Sequence, residues 1–292
     1  MRPLDVRELT GRSSTHIHRL EEPACALHVD VVAPFLALRA AAAQAGFDLL
    51  PASSFRDFSR QRVLWNAKYR GERPALDREG RLIDLSALAP AERIEAILCW
   101  SALPGASRHH WGTDLDVYDR AAVAEGYELQ LVPAEYAPGG PFAALDVWLG
   151  EHLERYGFYR PYQRDLGGVS PEPWHISYAP LAMKCLQALS PEVLRDALQE
   201  GDVEGGEAVA PPVVAHRHQQ IVAARFQQGL VADGAGSDDA HHLAFHRALA
   251  GGRVANLLAD RHAEPLFHEP AQVFLRRLHG HAGERHLCRT AI

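Results

Sequence analysis

Residues 107–119, SRHHWGTDLDVYD, constrain the fold more than any other stretch of this chain. After Gly112, Thr113, Leu115 and Val117 alternate with Asp114, Asp116 and Tyr118, and period-two alternation predicts a half-buried strand. One face of that strand, Leu115 and Val117, is free to pack in a core. The other sets Asp114 and Asp116 side by side, with a turn around Gly112 between them and His109.

The rest of the chain supplies the layers such a strand needs. The stretch 31–45, VVAPFLALRAAAAQA, reads as a helix starting near Pro34 and stopped by Gly46, and FDLLPASSFR reads as a buried strand running into a turn. FSRQRVLWNAKYRG suggests a second helix with Val63, Leu64 and Ala67 as its apolar side and Gly71 as its stop, and AERIEAILCW a third. YELQLV is expected to neighbour the 113–118 strand, LDVWLGEHLERYGF has helical spacing, and PWHISYAP reads as one more short strand. PLAMKCLQAL and SPEVLRDALQEG close the set as helices, the latter with Ser190 as N-cap, Pro191 at the first helical position and Gly201 as stop. The expected fold class is α+β: a small antiparallel sheet flanked by helices, over residues 1–201.

Composition changes after residue 201. GDVEGGEAVAPP has linker chemistry; beyond it there is no lysine, tyrosine or tryptophan, and ten of the 17 histidines fall there. Those histidines lack a repeated ligand spacing, so metal storage is disfavoured. Residues 202–292 read as a linker and a histidine-rich extension of unknown role, with a poorly ordered tail as the expected state and a shifted reading frame as the alternative.

Net charge −7 and a pI near 6.2 disfavour a nucleic-acid partner, because phosphate binding needs a basic face. The N-terminus lacks the apolar run of a secretory signal and no 18-residue apolar stretch follows, which predicts a cytoplasmic protein with no membrane partner. Cys25, Cys99, Cys185 and Cys288 are scattered with no CxxC pair, as suits a reducing compartment.

A catalytic zinc needs three protein ligands, an open position for water and a nearby base. His109 and Asp116 can converge on one ion across the Gly112 turn. PEPWHISY offers Glu172 and His175, spaced so that a carboxylate and an imidazole flank one metal without both binding it. His110 is not expected to ligate, since a fourth protein ligand would close the site.

These residues carry a family resemblance. Ser107, His109, Gly112 and Asp116 match SxHxxGxxxD, and Glu172, Trp174 and His175 match ExWH, of the VanY-type D-alanyl-D-alanine carboxypeptidases. That family belongs to the LAS group of zinc peptidases, which also contains D-Ala-D-Ala dipeptidases. SFRDFSRQ is similar to the family's R-x4-Q segment, with Arg56 and Gln61 at its ends. The likeness spans roughly residues 8–200 and excludes the tail. One departure is Asp114, where the family usually has a small residue.

The resemblance implies that His109, Asp116 and His175 bind Zn2+, that Glu172 is the general base, and that Arg56 stabilises the developing oxyanion. It implies that Ser107 helps hold the substrate. Gln61 fits a substrate-binding role or a plain helix surface, and Trp174 a substrate-facing role or packing. Asp114 either orients a ligating imidazole or satisfies a buried backbone group. The implied activity is zinc-dependent removal of a C-terminal D-residue from peptidoglycan-type peptides. Its rivals are an L,D-carboxypeptidase, a D-Ala-D-Ala dipeptidase and, outside enzymes, a zinc-containing peptide- or protein-binding module. The sequence leaves the oligomeric state open.

Overall fold

The structure is a computed structural model that describes residues 2–165 and 168–206. The expectations for the remainder of the extension lie outside the described residues. A short helix α1 (Val6–Leu9) precedes a hairpin of β1 (Ile17–Glu21) and β2 (Ala24–His28), followed by α2 (Val32–Gln44), β3 (Leu49–Ser53) and α3 (Phe58–Tyr69). A small ladder of β4 (Ala75–Leu76) with β5 (Leu82–Ile83) leads to α4 (Pro90–Leu98). Then come β6 (Asp114–Asp119), α5 (Pro133–Tyr136), α6 (Ala143–His152), β7 (Phe158–Tyr159), β8 (His175–Tyr178), α7 (Ala179–Ala188) and α8 (Pro191–Gln199).

The central sheet has the order β3-β6-β8-β7, with every neighbouring pair antiparallel. This is the α+β arrangement expected from the run of helix and strand segments. The cap read at Ser190 holds, its Oγ accepting from Val193 N at 3.3 Å to start α8; α3 is capped by Asp57, which the sequence reading did not single out, through Arg60 N at 2.7 Å.

Three local expectations are corrected. The buried side of α3 is Phe58, Gln61 and Trp65, and Val63 faces solvent. Strand β6 is buried on both faces rather than half-buried, because the polar side chains of its acidic face are covered too. YELQLV forms no strand beside β6, whose two flanks are taken by β3 and β8. The carboxylate of Glu135 instead gathers that segment, accepting from Gln130 N at 3.1 Å, Val132 N at 3.3 Å and the Tyr127 hydroxyl at 2.7 Å. A side-chain acceptor thus takes the N–H groups a ladder would have used.

Two apolar clusters anchor the site from opposite directions. Leu115 and Val117 of β6 and Ile176 of β8 pack with Phe35 and Leu38 of α2 and Leu145 and Leu149 of α6. Full burial of side chains like these is worth roughly 1.5–3 kcal/mol each. The second cluster joins Phe58 and Trp65 of α3, Ile94 and Leu98 of α4, Leu194 of α8 and Trp111. The chain passes from Trp111 in one core to Leu115 in the other within four residues, so His109 and Asp116 are held from both ends.

The packed chain continues past residue 201. Val203 is buried with the second cluster, the Trp65 indole donates to the Glu204 carbonyl at 3.0 Å, and Glu204 N donates to Asn66 Oδ1 at 3.0 Å. No helix among the described residues is long and apolar enough to cross a membrane.

Candidate metal centre

The β6–β8 register places Asp116 directly opposite His175 and Asp114 opposite Ser177. Side chains paired this way share one face and approach closely. His109 arrives from a short 3-10 turn, Arg108–Trp111, that ends at Gly112 with φ +67°. Only glycine suits that position twice over. The backbone is left-handed, and a Cβ there would lie 2.6 Å from His28 N, which itself donates to the Gly112 carbonyl at 2.9 Å.

Each histidine is oriented by the nitrogen it does not present. His109 Nδ1 lies 2.9 Å from the Ser54 carbonyl, which can only accept, so the proton sits on Nδ1 and Nε2 presents its lone pair. Nε2 faces Asp116 Oδ2 at 3.4 Å. His175 Nε2 lies 2.8 Å from Asp114 Oδ1, which leaves Nδ1 to face Asp116 Oδ1 at 3.1 Å and Glu172 Oε2 at 3.3 Å. A carboxylate behind one imidazole and a carbonyl behind the other is the outer support that metal-binding histidines need.

His109, Asp116 and His175 each offer a ligand atom, all within 4.8 Å of one another, and all three residues are buried. Asp116 Oδ1 is buried without a hydrogen-bond partner, although His175 Nδ1 is only 3.1 Å away. With the imidazole proton on Nε2, two lone pairs face each other across that gap. Two ligands of one tetrahedral zinc at ~2.0–2.1 Å lie ~3.4 Å apart, so a cation resolves the conflict and the donor set fits zinc.

The electrostatics agree. Burial works to raise the Asp116 pKa, but His109 and then His175 outweigh it and hold the carboxyl far below its ordinary value. Burial works to lower the His175 pKa, yet its hydrogen bond to Asp114 and the neighbouring carboxylates of Asp116 and Glu172 hold it well above the usual imidazole value. A positive charge is therefore favoured at this point, carried by a proton or a metal. Glu172 is raised above a normal glutamate by burial, against the pull of His175.

Arg56 donates to Gln61 Oε1 at 2.9 Å and to Ser53 Oγ at 3.0 Å, while its backbone N donates to the His109 carbonyl at 3.1 Å. Gln61 is fully engaged inside the protein, since its Nε2 also donates to the Ala102 carbonyl at 2.7 Å. Ser107 is buried at the start of the 3-10 turn and its hydroxyl caps no N–H there. Trp174 is 4% exposed and packs against Tyr136, with ring centroids 5.7 Å apart. His110 points away from the cluster: its Nδ1 bonds the Arg56 carbonyl at 2.6 Å and its Nε2 accepts from Gly105 N at 3.1 Å.

Asp114 is a junction. It accepts from Arg108 Nε at 2.7 Å, His175 Nε2 at 2.8 Å, Thr113 Oγ1 at 2.5 Å and Ser177 Oγ at 3.0 Å. Arg108 also donates to Tyr159 Oη at 2.7 Å and Ser177 Oγ at 2.6 Å. Sequence reasoning passed over Arg108 and Tyr162. Tyr162 stands edge-on to the His175 ring at 4.9 Å between centroids, and burial pushes its phenol up to about 12. Nothing in local pattern marks Tyr162 or Arg108.

Comparison with known proteins gives one assignment. The VanY family, described as D-alanyl-D-alanine carboxypeptidase, matches residues 24–181. An uncharacterized protein of Haemophilus influenzae is 40% identical over 109 residues, which cover 37% of this chain and 83% of that protein. A D-alanyl-D-alanine carboxypeptidase of Enterococcus faecalis is 33% identical over 82 residues, 27% of this chain and 25% of that one. Among solved structures, VanYB in complex with D-alanine-D-alanine aligns with a TM-score of 0.42 at 22% identity, over 62% of this chain and 87% of that one.

Proposed function

Because this chain belongs to the VanY family of D-alanyl-D-alanine carboxypeptidases, we propose that it is a zinc-dependent carboxypeptidase releasing the C-terminal D-residue of peptidoglycan-type peptides. The observation that carries the metal reading is the buried, unbonded Oδ1 of Asp116 facing His175 Nδ1, with His109 Nε2 on the other carboxylate oxygen. In this reading His109, Asp116 and His175 hold the ion. A zinc ion so held supplies Lewis acidity toward a peptide carbonyl and acidifies water.

The chain's own residues do the rest. Glu172, beside His175 yet outside the ligand trio, takes the proton of the attacking water and returns it to the departing amine. Burial suits it to that work by raising its proton affinity. Arg56, held by Gln61 and Ser53, directs its guanidinium at the oxygen on which charge develops. Gln61 contributes by fixing Arg56, and Asp114 by holding His175 in the tautomer that presents Nδ1. Ser107, two residues before His109, helps hold the substrate, and Trp174 packs against Tyr136 beside His175 in the chain. No covalent intermediate is required, since the nucleophile is water.

The test is incubation of zinc-loaded protein with D-Ala-D-Ala, a pentapeptide ending in D-Ala-D-Ala and the corresponding tetrapeptide, with products identified by mass spectrometry. Loss of one D-Ala from the pentapeptide is expected. Cleavage of the tetrapeptide alone would move the assignment to an L,D-carboxypeptidase, and cleavage of the free dipeptide alone to a dipeptidase.

A further inference from the structure

Two cations, Arg56 and Lys68, form no salt bridge with a carboxylate among the described residues; their hydrogen bonds go to Gln61 and Ser53 in one case and to Ser101 in the other. The mechanism above uses Arg56 and leaves Lys68 without a task. Its ammonium is partly buried and donates to Ser101 Oγ at 2.6 Å, which occupies one of its three N–H groups.

Lys68 is tied to the site by construction. Gln61 and Lys68 lie seven residues apart on α3, two turns and therefore one side of the helix. Gln61 bonds the carbonyl of Ala102 while Lys68 bonds the side chain of Ser101, so their tips converge on adjacent residues of one loop. That loop is stitched to the segment bearing the base: Ser170 N, two residues before Glu172, donates to the Cys99 carbonyl at 2.9 Å. Gln61 in turn grips Arg56. Burial, then Arg73, hold the Lys68 ammonium below an ordinary lysine pKa, and Glu172 acts on it in the opposite sense. An anion arriving here would relieve both penalties.

A carboxypeptidase cuts one residue from a free carboxylate, and one residue spans ~3.8 Å between Cα atoms. The cation that receives that carboxylate must therefore stand next to the one aimed at the scissile carbonyl. We propose that Lys68 binds the C-terminal carboxylate of the peptide substrate and thereby selects peptides with a free C-terminus. The proposal rests on the carboxypeptidase reading and adds a residue and a ligand group to it.

The experiment compares a pentapeptide ending in D-Ala-D-Ala with its C-terminal amide, in the parent, Lys68→Met and Lys68→Arg proteins, all zinc-loaded and checked for folding by thermal melt. The parent should favour the acid over the amide through KM, and Lys68→Met should raise KM for the acid on the order of 10- to 100-fold, as for a lost hydrogen bond to a charged group. Lys68→Met should treat acid and amide alike, and Lys68→Arg should restore much of the preference. A structural role for Lys68 would lower both activities together and leave the preference in place, which overturns the inference. So does an unchanged preference in Lys68→Met. Should Lys68→Met not fold, loss of the preference in Lys68→Gln or its persistence there decides the same point. If the parent hydrolyses neither peptide, the carboxypeptidase reading fails by itself; calorimetric titration of acid and amide into parent and Lys68 variants then decides the carboxylate contact separately. Equal binding of acid and amide, or binding of neither, refutes it.

Discussion

Replacing Asp114 separates what holds the His109–Asp116–His175 cluster together from what holds the fold together. Its carboxylate has no exposure, the Arg108 side chain is 6% exposed, and the two meet at 2.7 Å. Asp114→Ala removes the anion and leaves the guanidinium buried with the Tyr159 and Ser177 hydroxyls and the Trp111 ring but no carboxylate bonded to it. An unpaired buried charge of this kind costs ~3–5 kcal/mol. For a folded unit of about 200 residues, where 1 kcal/mol moves Tm by ~2–4 °C, the melt should fall by ~6–20 °C. Adding Arg108→Met removes the stranded charge, so the double variant should recover much of that loss, because replacing both members of a buried pair is often close to neutral. Metal binding should behave differently. The lost partner is also the one that fixes His175 Nε2, so zinc affinity should drop ~10–100-fold in the single and the double variant alike. Thermal melts and chelator competition read the two effects independently. A double variant no more stable than Asp114→Ala, or zinc affinity within twofold of the parent, would refute the account of Asp114 as both ion-pair partner and imidazole holder.

Other expectations follow from the same structure. Glu172→Ala should keep its zinc and its fold while losing turnover by ~10²–10⁴-fold, whereas His109→Ala, Asp116→Ala or His175→Ala should lose metal, as read by elemental analysis of the purified variants. A chain ending after residue 206 should melt like the full-length protein, and one ending after residue 201 should melt lower, since it loses Val203 from the core and the Trp65 and Asn66 contacts to Glu204. His16 is buried and held below the ordinary imidazole pKa of 6.5, chiefly by burial. The unfolded chain therefore takes up a proton there first, so the stability that neutral His16 contributes is present above pH 6.5 and is lost as pH falls through that value toward the folded pKa. Melts of the parent and His16→Gln across pH 5–8 should show the shallower decline below pH 6.5 in the variant; parallel curves would exclude His16 as a contributor.

The sequence by itself determined which elements could exist and which residues could meet. Period two from Thr113 to Tyr118 put Asp114 and Asp116 on one face, and the cap and stop residues of α2, α3 and α8 lie in their own segments, because strand alternation and helix capping act over a few bonds. The two separated motifs named His109, Asp116, Glu172 and His175, which the fold brings together. Local pattern could not tell that Glu135 would draw in residues 127–132 and deny β6 that neighbour, nor that both faces of β6 would be covered. Asp114 shows the same division: its place on the strand was legible, but its choice between an imidazole and a backbone group depended on β8 arriving in a register that sets Ser177 opposite it. The tertiary structure decided those outcomes because a buried charge must find its partners wherever packing delivers them, 61 residues away for His175 and 63 for Ser177.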